Sequence, residues 1–143
     1  MLFTLDVGQA FLRGLTFEQL RAMPGGKARA VQFRVPPGAV ALLQQLPGYE
    51  DFNPLQECLD MLRPAFGLKD APRAWSKACT EALKEIHFIA TVADPQIFVR
   101  FEDQRGMKKL VGILSAHVDD LKGGCRQDVR LELEAHLERS LES

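Results

Sequence analysis

The stretch Val111-Gly-Ile-Leu-Ser-Ala-His-Val-Asp-Asp-Leu-Lys-Gly-Gly124 decides the fold. Its first half is an apolar run that reads as a buried strand. The run ends in two adjacent acids, Asp119 and Asp120, followed by a glycine pair. Two carboxylates about 4 Å apart repel by about 4 kcal/mol at an effective dielectric near 20. A surface turn dissipates that repulsion in water. A site at the tip of a hairpin uses it to hold a divalent cation, which inverts the local charge logic. A second strand-like piece, Leu2 to Asp6, also ends in an acid. If the two strands are neighbours, Asp6, Asp119 and Asp120 form a three-carboxylate cluster.

Such a cluster supplies hard oxygen ligands, which favour Mg²⁺ or Mn²⁺ with water and substrate phosphates completing the shell. Two such ions, about 3.5–4 Å apart, activate an attacking hydroxyl and stabilise a leaving pyrophosphate. On the Asp119-Asp120 pair alone, a plain polar hairpin turn is the simpler reading.

The chain has 143 residues, enough for one compact domain with a sizeable core. Apolar residues make up 46% and charged residues 26%, as in ordinary globular proteins. A net charge of -1 gives no global basic field, so nucleic-acid binding would rest on a local patch. The three cysteines, Cys58, Cys79 and Cys125, are widely spaced and suggest buried or incidental thiols in a reducing compartment. No apolar run approaches the roughly 20 residues of a membrane span. The start lacks the features of a signal peptide. It enters a strand directly, which suggests a fragment of something longer.

Outward from the central stretch, Gly8 to Arg21 reads as one or two helical turns. Thr16 and Gln19 have the spacing of a capping box. Val31 to Val35 alternates as a half-buried strand closed by Pro36-Pro-Gly38. A short helix is expected around Val40 to Gln45, and a strand over Glu57 to Arg63. Pro72 suits the first turn of a helix. Trp75, Ala78, Cys79, Ala82, Leu83 and Ile86 then form one apolar face. Asp94-Pro95 starts a turn, Gln96 to Phe101 is a strand, and Glu102 to Gly106 is a polar hairpin turn. Leu110 to His117 is the return strand. From Asp128 to Leu141, Val129, Leu133, Leu137 and Leu141 recur every four residues as an amphipathic helix. This order predicts an α+β fold: a mainly antiparallel sheet with helices packed on one face.

Two further stretches carry chemistry. Phe11 lies five residues beyond Asp6, after a turn that could bring it back toward a metal. Phe66-Gly-Leu-Lys-Asp-Ala-Pro-Arg-Ala-Trp75 is a bend entering a helix, with Lys69, Arg73 and Lys77 near its start. Exposed amides there, with those cations, could take phosphates. Read singly, Phe11 is reasonably a core aromatic, and the second stretch is better taken as an ordinary helix start with a buried Trp.

Taken in order, Leu5-Asp-Val-Gly-Gln-Ala-Phe11, Gly67-Leu-Lys-Asp-Ala-Pro-Arg-Ala-Trp75, Ala93-Asp-Pro-Gln-Ile-Phe98 and His117-Val-Asp-Asp120 resemble the reverse transcriptase of copia-type LTR retrotransposons. The pattern runs through nearly the whole chain. The resemblance implies a right-hand polymerase palm with part of the fingers over residues 1–143, the upstream fingers, thumb and RNase H being absent. It implies two-metal nucleotidyl transfer to a primer 3′ end, with Mg²⁺ or Mn²⁺ as cofactor. Asp6, Asp119 and Asp120 would be the catalytic and metal-binding acids, with the Val7 carbonyl beside the first. Phe11 would lie under the deoxyribose and reject a 2′-hydroxyl. Phe66, Gly67, Lys69, Pro72 and Arg73 would lie near the incoming nucleotide and template, and His117 and Val118 near the primer. The partners implied are an RNA or DNA template with its primer, deoxynucleoside triphosphates and the rest of a Pol polyprotein. The implied location is intracellular: a cytoplasmic virus-like particle, or the nucleus. No membrane is implied.

The chain departs from the family in places. His117 stands where Tyr is usual, and Asp70 where Gln is usual. By strand alternation His117 is expected to share a face with Asp119. Two other readings accompany the polymerase: a catalytically inactive relic, and a small α+β interaction module whose acids are surface turns.

Overall fold

A computed structural model describes residues 1–141. The chain divides into two compact units, one of Met1–Leu15 with the chain from Arg63 onward, the other Thr16–Leu62. The first contains strands β1 (Leu2–Asp6), β4 (Ile89–Ala90), β5 (Ile97–Gln104), β6 (Met107–His117) and β7 (Asp120–Cys125) and helices α3 (Ala71–Glu85) and α4 (Gln127–Leu141). The second contains β2 (Gln32–Phe33), β3 (Leu59–Asp60), α1 (Phe17–Ala22) and α2 (Pro37–Leu43).

The large sheet runs β1-β7-β6-β5-β4, and every pairing in it is antiparallel. The central stretch Val111 to Gly124 supplies most of β6 and β7, joined by the two-residue loop Val118-Asp119. Residues directly opposite one another in an antiparallel pair share a face. Phe98, Leu114 and Gly123 lie in one such row, and Ala116, Leu121 and Leu5 in the next. Phe98, Leu114, Leu121 and Cys125 are buried and pack with Trp75, Cys79, Leu83 and Ile86 of the α3 segment and Val129, Leu133 and Leu137 of α4. Both helices therefore cover the same face of the sheet. The α+β expectation, with a mainly antiparallel sheet, is met.

Local signals explain α3 well. Pro72 occupies its first turn, where the missing N–H costs nothing. Its C-terminus closes with His87 at φ 66, the His87 amide donating to Lys84 (2.9 Å) and the Phe88 amide to Leu83 (3.0 Å). That is a Schellman closure, with the buried Phe88 as its apolar anchor. Ahead of β5, the Asp94 carboxylate accepts from the Gln96 amide (2.8 Å), and the Thr91 hydroxyl donates to the Asp94 carbonyl (2.8 Å). Asp94 is thus a turn-former.

The β5–β6 hairpin is longer than the residues 102–106 suggest. Glu102 pairs with Lys109 and Asp103 with Lys108, so charges that look like a loop form ladder rungs on two protruding strands. A register irregularity at Arg100 and Phe101 marks where the hairpin leaves the core. Arg100 is buried beside Glu132 of α4 (2.7 Å) and Glu102 (3.3 Å), so its charge is taken out of water with partners in place.

In the second unit the capping box is present as expected: the Gln19 amide donates to the Thr16 hydroxyl (3.1 Å) and the Thr16 amide to the Gln19 side chain (2.8 Å). The strands expected over 31–35 and 57–63 shrink to two residues each, paired only with one another. Gln32 and Phe33 are both exposed, so the alternation there is not that of a half-buried strand. A two-strand ribbon has too little buried surface to extend itself. The helix expected near Val40 begins earlier, at Pro37, because proline is well placed in a first turn. The side chain of Leu141 lies outside the described residues.

Candidate metal centre at the hairpin tip

The adjacency on which the three-carboxylate reading depended is present. β1 pairs with β7, and Asp6 stands directly opposite Asp120. Asp119 occupies the loop immediately before, and its carbonyl accepts the Val7 amide at 2.9 Å. The first acid is thereby tied by backbone to the tip that carries the other two. Asp6 and Asp119 are exposed and Asp120 half-buried.

The carboxyl groups themselves are not drawn together. Among the described residues, no three His, Cys, Asp or Glu side chains are gathered closely enough to hold a metal ion. The Lys122 ammonium lies 3.2 Å from the Asp120 carboxylate, on the same face two residues along. It offsets part of the charge a cation would otherwise neutralise. The donor set still fits a hard divalent ion, because all three side chains are oxygen donors and none is engaged in the core.

The hairpin tip carries backbone strain. Val118 has φ 53, and Asp119 is not among the positive-φ residues. This sign pattern belongs to a type II′ turn, whose first central position is normally glycine. A β-branched residue held there costs on the order of 1–3 kcal/mol. The buried Trp75 indole N–H donates to the Val118 carbonyl.

His117 is placed differently from the alternation argument. The chain reverses at Val118-Asp119, so His117 lies opposite Asp120 and shares its face. Alternation counts residues along one strand and fails across a turn.

The remaining expected residues fall into two groups. Phe11 and Phe66, from separate blocks of sequence, meet edge to face with ring centroids 4.8 Å apart. Phe11, Pro72, Trp75 and Val118 line a single cavity of about 160 Å³. Gly67 adopts φ 87, so the bend before α3 needs the freedom of glycine. Lys69 and Arg73 are exposed near the start of α3, and neither lines this cavity.

Other lining residues were not among the site residues expected from sequence. Gln96 and Ser76 give the cavity polar atoms, and Cys79 closes part of it. Burial pushes the Cys79 thiol up to about 12, so it stays neutral and apolar. A second cavity, of about 310 Å³, places Arg13, Glu134 and Glu138 with Leu5, Asp6, Val7 and Gly8. Nothing in the sequence couples positions 134 and 138 to Asp6; the packing of α4 alone does so.

No helix among the described residues is long and apolar enough to cross a membrane. No family model matches the chain, and no curated protein or solved structure matches it either.

Proposed function

We propose that the β1–β7 end of the sheet is the metal-dependent centre of an RNA-directed DNA polymerase palm of the copia type. The observation that carries this reading is the backbone arrangement of its three acids: Asp6 opposite Asp120, with the Val7 amide on the Asp119 carbonyl. A bound pair of Mg²⁺ or Mn²⁺ ions would supply charge stabilisation for nucleotidyl transfer to a primer 3′ end. Asp6, Asp119 and Asp120 would hold them, with the Val7 carbonyl as a further donor. Phe11, braced by Phe66, would present a flat apolar edge to the sugar of the incoming deoxynucleotide. The exposed cations Lys69 and Arg73 would face its phosphates or the template.

One observation favours a second reading, the inactive relic. Lys122 partners Asp120. A palm that has lost its chemistry would keep the sheet and let a lysine neutralise the tip.

Calorimetric melting with and without millimolar Mn²⁺, alongside primer extension, separates the readings. A catalytic palm melts higher with metal, loses that gain in Asp119→Asn, and extends a primer once fused to flanking fingers and thumb, while the 143 residues by themselves extend it little or not at all. A relic extends nothing in any form, and a melting curve unmoved by metal in the folded wild type would remove the centre.

A further inference from the structure

We infer that Trp75 is a positioning residue: its indole N–H selects the hand of the Val118-Asp119 turn and so sets where the Asp119 carboxylate points. The turn-setting role stands on geometry alone; its consequence for metal binding rests on the function proposed above.

The argument begins with the loop. His117 and Asp120 close a two-residue hairpin, with Val118 and Asp119 as its central residues. Two loops of this length suit the twist of paired strands, types I′ and II′. Both begin with a positive φ, as Val118 has. They differ by a flip of the peptide between the central residues, and that flip changes the sign of φ at the second. Here the second is Asp119, so the flip redirects an acid of the candidate centre.

The carbonyl of the flipping peptide belongs to Val118. It is this oxygen that accepts the Trp75 indole N–H. In the I′ form it would turn away and leave a buried indole donor unpaired. The indole cannot follow, because Trp75 is only 3% exposed and packs in the core with Val7 and Ala10. Its helix is also tied by backbone, the Leu15 amide donating to the Ala74 carbonyl at 3.2 Å. Sequence preference does not do this job. Valine is poorly suited to positive φ, and glycine, the usual first residue of a II′ loop, is absent. The choice of hand therefore comes from helix α3, far away in sequence.

Trp75 is the single tryptophan, so its indole N–H is one resolvable NMR signal. In the full chain, hydrogen exchange of that signal is expected to be strongly slowed. Trp75→Phe is expected to weaken Mn²⁺ affinity about tenfold, as loss of a residue that orients a ligand does. Val118→Gly in that background is expected to restore most of the affinity, since a Gly-Asp loop favours II′ unaided. A role in core packing alone predicts no such rescue. An indole N–H that exchanges freely, or a missing rescue, would overturn the inference. If Trp75→Phe does not fold, the pair Val118→Asn with Asp119→Gly keeps the tryptophan and favours I′. Loss of indole protection there supports the inference, and unchanged protection overturns it. Wild type that shows a protected indole but no Mn²⁺ binding would remove the metal centre and leave the turn assignment standing.

Discussion

Asp6 on β1 stands directly opposite Asp120 on β7, two acids on one face at the open end of the sheet. Like charges in directly opposed positions destabilise a strand pair. Lys122 relieves Asp120 in part but leaves Asp6 exposed to the same field. Replacing Asp6 by Asn should therefore stabilise the metal-free protein by about 0.5 kcal/mol, a rise of roughly 2 °C in Tm. The same change should abolish any further rise on adding Mn²⁺. Differential scanning calorimetry reads both, and a drop in the metal-free Tm would show that the pair does not repel.

Phe11 is half-buried and leans on Phe66. Phe11→Ala should destabilise by about 1–2 kcal/mol, below the range for a fully buried phenylalanine. If a form of this chain extends primers, as proposed, the substitution should also admit ribonucleotides while deoxynucleotide use suffers less. Incorporation ratios from competing nucleotides measure this, and an unchanged ratio would return Phe11 to a purely structural role.

The two glycines after Lys122 should behave oppositely. A Cβ at Gly123 would run into the Ile113 carbonyl oxygen, a backbone atom that cannot step aside. A Cβ at Gly124 would meet the end of Leu2 at 3.5 Å and the Met1 carbonyl oxygen at 3.7 Å, both ordinary van der Waals contacts. Gly123→Ala should cost about 2–3 kcal/mol through overpacking, and Gly124→Ala less than about 0.5 kcal/mol. Urea unfolding of the two variants tests the β6–β7 register directly.

Burial raises the Cys79 thiol from 9.0 to about 12 and also pushes the Cys125 thiol up. The folded state then holds these protons longer than the unfolded state. Their contribution to stability is fully present below about pH 9 and is lost as pH rises from there through 12. Cys79→Ala should flatten part of that alkaline decline while lowering stability near neutral pH by about 1 kcal/mol for the lost packing. Denaturation at neutral and alkaline pH gives the comparison. Alkylation gives an independent check: Cys58 is exposed and should react in the folded protein, whereas Cys79 and Cys125 should react only on unfolding.

Periodicity alone determined the elements with the most apolar surface to bury. The face Trp75, Cys79, Ala82, Leu83, Ile86 and the series Val129, Leu133, Leu137 are buried as patterned, with Ala78 of the same face half-buried. A helix with that much apolar area has one stable orientation, so a 3.6-residue repeat suffices to find it. Capping chemistry was equally legible at Thr16 and Pro72, because those interactions span only a few residues. The short strands near Phe33 and Leu59 and the extent of the β5–β6 hairpin were less legible. Ladder hydrogen bonds do not depend on side-chain polarity, so Glu102 and Lys109 pair while looking like a loop.

For the candidate site, the sequence determined which residues were chemically eligible: three acids, two of them adjacent, and an aromatic shortly after the first. It did not determine their arrangement. Asp6 meets Asp120, and His117 shares their face, only because β7 inserts between β1 and β6. Lys122 becomes the counter-charge of Asp120 through the same pleat. The hand of the Val118 turn runs against local propensity and depends on an indole from α3. Local preferences act over a turn or two, whereas these placements depend on contacts between residues distant in the chain. Only the packed tertiary structure decides them.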